Sequence, residues 1–387
     1  MKVTYVTMQW PAASETFAAR DVNALIDAGE DVSVMALRPD FRDVTDLKKS
    51  LSVESVPSLV MGVKNQIRGV CAMILNLGLA ARLFFTLLKC EKRVSVLLKS
   101  FVLFPADFLF FDRIKKENPD VVHLFWGHYP SMVGWLVQEK FPEIQVTQFL
   151  GPYDLLYNYG LSTIVAKRAE AVFTHTRSNV DILRDKGIEE NKIHVVHRGI
   201  KTTTCDADIK KDRGFIYVGR LIRAKGIFEM LAVFSKIVKS NPEAHLMVVG
   251  DGEDRTVFEA KIEKLNLKDN VTMTGWLSPP DVSAHLKQAS IMLFFSHSEC
   301  LPNAIKEAML NGVVPISSQT RGIDELIENG KDGAIVKDGD DIALIVCDLV
   351  NDTEKRNEMS AKARTKIIQN FDVNGAMKKY RDVWLSR

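Results

Sequence analysis

The chain reads His197-Arg198-Gly199-Ile200, passes through a polar run from Lys201 to Arg213 with little apolar periodicity, and resumes with Phe215-Ile216-Tyr217-Val218. A polar stretch without period marks a linker, and a fresh β-branched and aromatic run after it marks the first strand of a new domain. On the N-terminal side, strands are expected near Val3 to Met8, Val32 to Leu37, Val121 to Phe125, Gln145 to Phe149, Ala171 to Thr176 and Ile193 to Val196. On the C-terminal side they are expected at Ile216 to Gly219, Leu246 to Val249, Val271 to Thr274, Ile291 to Phe295, Val314 to Ser317 and Ala334 to Val336. Segments of helical period separate them, such as Glu15 to Asp27. Short buried runs alternating with helices are the signature of parallel βαβ units. The fold class is therefore α/β, with two doubly wound parallel-sheet domains at 1–200 and 201–371 and a C-terminal helix, about 372–387, expected to return to the first. Ligands of such sheets bind at the carboxyl ends of the strands, and two of them suggest a cleft between the domains.

The 387 residues, 46% hydrophobic and 26% charged, suffice for two cores. A net charge of +2 gives no global reason to expect a nucleic-acid partner. Cys71, Cys90, Cys205, Cys300 and Cys347 are scattered and lack any C-x-x-C spacing, which suggests neither a disulfide framework nor a zinc site. The opening Met1-Lys2-Val3-Thr4-Tyr5-Val6 runs straight into a strand pattern rather than a secretory leader, so a cytoplasmic location is expected. Gly69 to Ala81 is almost wholly apolar but too short to span a bilayer. From Lys64 to Lys99, Lys64, Arg68, Arg82, Lys89, Lys92, Arg93 and Lys99 face a single acid, Glu91, among Leu and Phe. That interleaving suits either helices with a solvated basic face or peripheral contact with an anionic membrane through 64–99.

The chemistry concentrates in Ser296-His297-Ser298-Glu299-Cys300-Leu301-Pro302-Asn303-Ala304-Ile305-Lys306-Glu307-Ala308-Met309, where a buried strand ends and a helix begins. Pro302 suits the first turn, so Glu299 is expected in the loop and Glu307 one turn beyond Asn303 on the same face. A helix N-terminus attracts a diphosphate and carboxylates accept sugar hydroxyls. Two glutamates at this spacing on their own describe only a solvated face.

The frame Glu299, Pro302, Glu307-Ala308-Met309, Gly312 and Pro315 resembles the glycosyl transferases group 1 family (glycosyltransferase family 4). Val218-Gly219-Arg220-Leu221, Lys225-Gly226 and Arg321 to Ile327 extend the resemblance, and Ser14-Glu15-Thr16-Phe17 is similar to the opening of exopolysaccharide and lipopolysaccharide members. The resemblance covers essentially the whole chain. It implies the GT-B fold, two Rossmann-like domains facing a central cleft, and sugar transfer from a nucleotide diphosphate sugar with retention. No metal and no cofactor is implied, and the partners are a nucleotide sugar and a lipid-linked or saccharide acceptor.

Carried onto this sequence, the resemblance implies donor binding by Gly219, Arg220, Lys225, Gly275, Trp276, Glu299, Leu301, Pro302, Asn303 and Glu307. Arg220 and Lys225 would neutralise the leaving diphosphate, Glu307 would take the ribose, and Glu299 the sugar. Trp276 would lie beside the base or else belong to the core. Ser14 and Glu15 would meet the diphosphate or acceptor, Ser14 also being a natural N-cap. The family's N-terminal histidine segment is replaced by Thr147 to Asp154, which has none, leaving His123, His128 and Asp154 as candidates. His123 doubles as a core histidine. Cys300 stands where relatives carry glycine. A nucleotide-sugar epimerase of the same architecture and a non-catalytic nucleotide-binding scaffold partner are the alternatives. A dehydrogenase is disfavoured, because no G-x-G-x-x-G follows either first strand.

Overall fold

In a computed structural model, residues 1–12, 16–40, 44–202, 214–297, 299–337 and 342–386 are described. The chain divides into two compact units, 1–198 with 373–387, and 199–372.

Unit 1 is built on a seven-stranded sheet of β1 (Lys2–Thr7), β2 (Asp31–Ala36), β3 (Ser58–Val60), β4 (Val121–Phe125), β5 (Gln145–Phe149), β6 (Ala171–Thr174) and β7 (Ile193–Val195). Its order is β3-β2-β1-β4-β5-β6-β7, every pair parallel. The doubly wound reading is borne out, and the interior strands β4 and β5 are buried at every position, as a sheet covered on both faces requires. Strand β3 was not expected. It is a short, partly exposed edge with none of the buried apolar run that marks the others.

The helix Val373–Leu385 packs in this unit, where Tyr380 stacks on Phe173 with ring centroids 3.8 Å apart. Gln145 Nε2 donates to the Trp384 carbonyl at 3.0 Å, and Arg381 pairs with the buried Glu30 at 2.5 Å. Between β3 and β4 lie three helices, Val63–Leu75, Leu77–Cys90 and Val94–Glu117, the first two meeting at a 96° bend. The third has the length and hydropathy of a membrane span, yet from Phe104 onward it buries Phe104, Phe108, Phe110 and Ile114 in the unit's core. Asp107 is buried with it, both carboxylate oxygens lack a hydrogen-bond partner among the described residues, and burial raises its pKa well above the usual carboxylate range.

Unit 2 carries β8 (Phe215–Val218), β9 (Leu246–Val249), β10 (Val271–Gly275), β11 (Ile291–Phe294), β12 (Val314–Ser318) and β13 (Ala334–Val336). Their order is β10-β9-β8-β11-β12-β13, all parallel. Strands β8 and β11 are neighbours, Phe215 opposite Ile291, although more than 70 residues separate them in the chain. The winding reverses direction between them. Such a reversal opens a crevice at the carboxyl ends of the two strands.

Candidate active site

The loop leaving β8 at Gly219 and the loop leaving β11 at Phe295 both emerge at that switch point. The Tyr217 hydroxyl donates to the Arg220 carbonyl at 3.0 Å, and Gly219 is packed so closely that an added Cβ would lie 2.8 Å from that hydroxyl. Arg220 itself is exposed. A short 3-10 turn, Arg223–Lys225, follows and ends at Gly226, whose φ is +63°. A Cβ there would meet the Phe295 carbonyl oxygen at 1.9 Å, so glycine is required both for the backbone angle and for the contact. The His297 amide donates to the Ala224 carbonyl at 3.0 Å and completes the join between the two loops.

This join brings Lys225 and Glu299 together as an ion pair. Both side chains are partly exposed, so the pair faces a surface that a ligand can reach. Burial raises the Tyr217 hydroxyl far above its ordinary range, and the Glu299 carboxylate raises it further while Arg220 opposes the shift. One tyrosine thus senses both Arg220, expected at the diphosphate, and Glu299, expected at the donor sugar.

Beyond Glu299, Cys300 forms a parallel bridge with Arg321 of the loop after β12. Leu301 is buried with φ +52°, a left-handed conformation that costs a branched side chain roughly 1–2 kcal/mol. Pro302 is the N-cap and the helix is Asn303–Leu310, one residue later than expected. Its first intrahelical bond runs from the Lys306 amide to the Pro302 carbonyl, so the amides of Asn303, Ala304 and Ile305 begin the helix as orphan donors. Asn303 and Glu307 are half-buried on one face, as the i,i+4 spacing requires. The Asn303 side chain also accepts from Lys306 Nζ at 3.2 Å, and Lys306, buried, lies over the Phe371 ring. At the end of β10, Gly275 has φ +72° and Trp276 follows it, 76% exposed. The core alternative for Trp276 is thereby removed.

Within unit 1, Ser14 and Glu15 lie outside the described residues. His123 is corrected from acceptor candidate to core residue. It is buried on β4 among Tyr5, Phe173, Tyr380 and Trp384, and its Nδ1 is 2.9 Å from Thr147 Oγ1. Burial, helped by Arg198, pushes its pKa down to about 3, so it is neutral at physiological pH.

His128 and Asp154 are brought together, with Nδ1 3.5 Å from Oδ1. Asp154 accepts the Gly127 amide at 2.8 Å through Oδ1 and the Gly151 amide at 2.9 Å through Oδ2. It therefore pins the loops leaving β4 and β5 and steadies the more exposed imidazole.

Sequence reasoning missed Arg198. Its guanidinium carbon lies 3.8 Å from the Phe17 ring centroid, 4.3 Å from Phe149 and 4.6 Å from Phe125. A cation is thus held at the carboxyl ends of β4 and β5 by aromatic faces.

Residues 206–366 match the glycosyl transferases group 1 family. The chain is 24% identical to the putative colanic acid biosynthesis glycosyltransferase WcaL of Salmonella typhimurium, over 96% of each chain. It is 26% identical to the amylovoran biosynthesis glycosyltransferase AmsK of Erwinia amylovora, over 89% of each. The crystal structure of Anabaena HepE in complex with UDP superposes with a TM-score of 0.76 over the full length of both chains, at 16% identity. The fold of this chain is GT-B, as the motifs implied.

Proposed function

We propose that the chain is a retaining, metal-independent hexosyltransferase of surface polysaccharide assembly, taking a UDP- or GDP-sugar and a lipid-linked or saccharide acceptor at the cytoplasmic face of a membrane. The observation that carries this reading is the Lys225–Glu299 pair, held where β8 and β11 diverge and beside Arg220 and the helix Asn303–Leu310. The biosynthetic names of WcaL and AmsK and the UDP bound to HepE support the substrate class.

Arg220, Lys225 and the amides at the start of the Asn303–Leu310 helix hold the diphosphate. Their positive charge meets the negative charge that grows on the leaving group. Glu307 accepts the ribose hydroxyls, Glu299 the hydroxyls of the sugar, and exposed Trp276 flanks the base. In unit 1, His128, oriented by Asp154, receives the acceptor hydroxyl. The acceptor oxygen bonds to the anomeric carbon on the face from which the C–O bond to phosphate breaks, and its proton passes to the departing phosphate oxygen. Retention follows without a covalent sugar on the protein.

Nucleotide release is measured across UDP- and GDP-sugars, with and without a lipid extract and with and without EDTA. Release from one donor that rises with extract, persists in EDTA, and falls by about 10²-fold in Arg220→Ala and Glu307→Ala supports the proposal. Binding without turnover under every condition favours the scaffold alternative instead.

A further inference from the structure

Of the twenty-one large hydrophobic side chains that are exposed among the described residues, twelve lie between Val63 and Val102. They are ordered by helical period. In the helix Val63–Leu75, Val63, Ile67, Val70 and Ile74 form one outward stripe, while Gly69 and Ala72 face inward, Gly69 directly against the Pro105 backbone. Lys64 and Arg68 occupy the adjoining stripe. In Leu77–Cys90, Leu77, Phe84 and Leu88 face outward, opposite the buried Leu79, Leu83 and Leu87. In Val94–Glu117, Val94, Leu98 and Val102 repeat the pattern beside Lys99. Each helix therefore has two apolar faces, one spent on the core and one left outside. A soluble surface rarely exposes so much ordered apolar area without a partner.

The charges select the partner. Arg82 is paired with Glu139 and lies over Trp135, and Arg93 is bound by Glu91 through Nε at 2.8 Å and Nη2 at 2.7 Å. Lys64, Arg68, Lys89, Lys92 and Lys99 make no hydrogen bond or ion pair within the described residues. Five unpaired cations border one apolar face. A symmetric second copy would set these like charges against each other, whereas an anionic bilayer answers both features.

We propose that the helices 63–102 seat unit 1 on an anionic bilayer interface, apolar stripes in the acyl boundary and cations among the headgroups. The surface is tied to the acceptor residues. Arg93 Nη1 donates to the Tyr157 carbonyl at 2.6 Å and its guanidinium lies over the Tyr159 ring. In that same segment Tyr153, Leu156 and Tyr157 are exposed, beside Asp154 and its partner His128. An acceptor with a lipid anchor would thus reach His128 from the membrane, a consequence that rests on the proposed function. Binding to the bilayer does not.

The test is sedimentation of the full chain with phosphatidylcholine vesicles, alone or with phosphatidylglycerol. Binding is expected only with the anionic lipid and is weakened by salt. Each cation is worth about fivefold in partitioning, so Lys64→Glu/Lys89→Glu/Lys92→Glu lowers it by at least about a hundredfold. Ile67→Asp/Leu98→Asp abolishes the salt-resistant remainder. Thermal stabilisation by UDP or GDP in the same variants reports the donor site separately, so its loss or absence indicts the proposed function and not the surface.

Equal binding to both vesicle types, no binding, or binding unchanged in both variants overturns the inference. So does a wild-type dimer, seen by light scattering without vesicles, that the same substitutions split into monomers.

Discussion

Glu299→Gln separates the two demands placed on the crevice of unit 2. In the unliganded protein the Glu299 carboxylate holds Lys225, the cation proposed for the diphosphate. A nucleoside diphosphate without its sugar must therefore displace that carboxylate from Lys225 and bind beside its negative charge. Lys225 is 16% and Glu299 27% exposed, so solvent screens the pair and its worth is about 1 kcal/mol. Neutralising Glu299 releases that amount to the incoming diphosphate, and UDP or GDP binding tightens about fivefold. Transfer moves the other way. A carboxylate that accepts sugar hydroxyls in the transition state is lost, at a cost of about 10²-fold in kcat. Calorimetric titration with the nucleotide, beside initial rates of transfer with the nucleotide sugar, measures both in one preparation. Weaker nucleotide binding in Glu299→Gln would refute the competition, and unchanged transfer would remove Glu299 from the donor-sugar site.

Gly226→Ala is expected to lower nucleotide affinity at least tenfold and to reduce thermal stability. Its Cβ would collide with the Phe295 carbonyl, and a φ of +63° costs alanine about 1 kcal/mol. Affinity equal to wild type would mean that the join between the two loops does not position Lys225. Asp107→Asn is expected to flatten the dependence of stability on pH. Because the folded state raises the Asp107 pKa, it keeps a proton that the unfolded chain releases above about pH 3.9. This contribution is full below that pH. It falls by up to about 1.4 kcal/mol per pH unit above it, until the folded carboxyl ionises. Urea unfolding of both proteins at pH 5 and pH 8 should show a smaller drop in the variant, and equal drops would show that Asp107 is not the source.

Both sheets were legible because a buried parallel strand is nearly pure sequence signal. Val121 to Phe125, Gln145 to Phe149, Leu246 to Val249 and Ala334 to Val336 fall at the expected residues, and the other expected strands differ by one or two residues at an end. Edge strand β3 carries no such run. The helix Val94–Glu117 continues through an internal Pro105, a residue that disfavours helix interiors, because tertiary packing holds it together across that point. At the site, local frames marked Arg220, Lys225, Glu299 and Glu307, but not the Lys225–Glu299 pairing across 74 residues, because sheet order creates it. Arg198 escaped for the same reason, since Phe17, Phe125 and Phe149 meet it only after β4 and β5 are side by side. Charge counting grouped Arg93 with the outward cations, whereas in the fold it is bound by Glu91.

Backbone strain marks the same candidate loops independently of any motif. Six non-glycine residues have positive φ among the described residues: Ser52, Asn118, Trp126, Asn158, Asn266 and Leu301. Asn118 and Asn158 are C-caps, and Ser52 and Asn266 lie within two residues of a helix end, where small polar side chains adopt this conformation at little cost. Trp126 and Leu301 have no such excuse. Trp126 follows β4 and Leu301 lies in the loop after β11, the fourth strand of its sheet in both units, each neighbouring the first strand where the winding reverses. Trp126 precedes the Gly127 amide that Asp154 grips beside His128, and Leu301 follows the Glu299–Cys300 step beside Lys225. Hydrophobic burial alone would favour relaxed turns at both places. The cost is instead retained at two topologically equivalent loops, one carrying His128 and the other Glu299 at the carboxyl end of its own sheet, and strain of this kind clusters where geometry is held for chemistry.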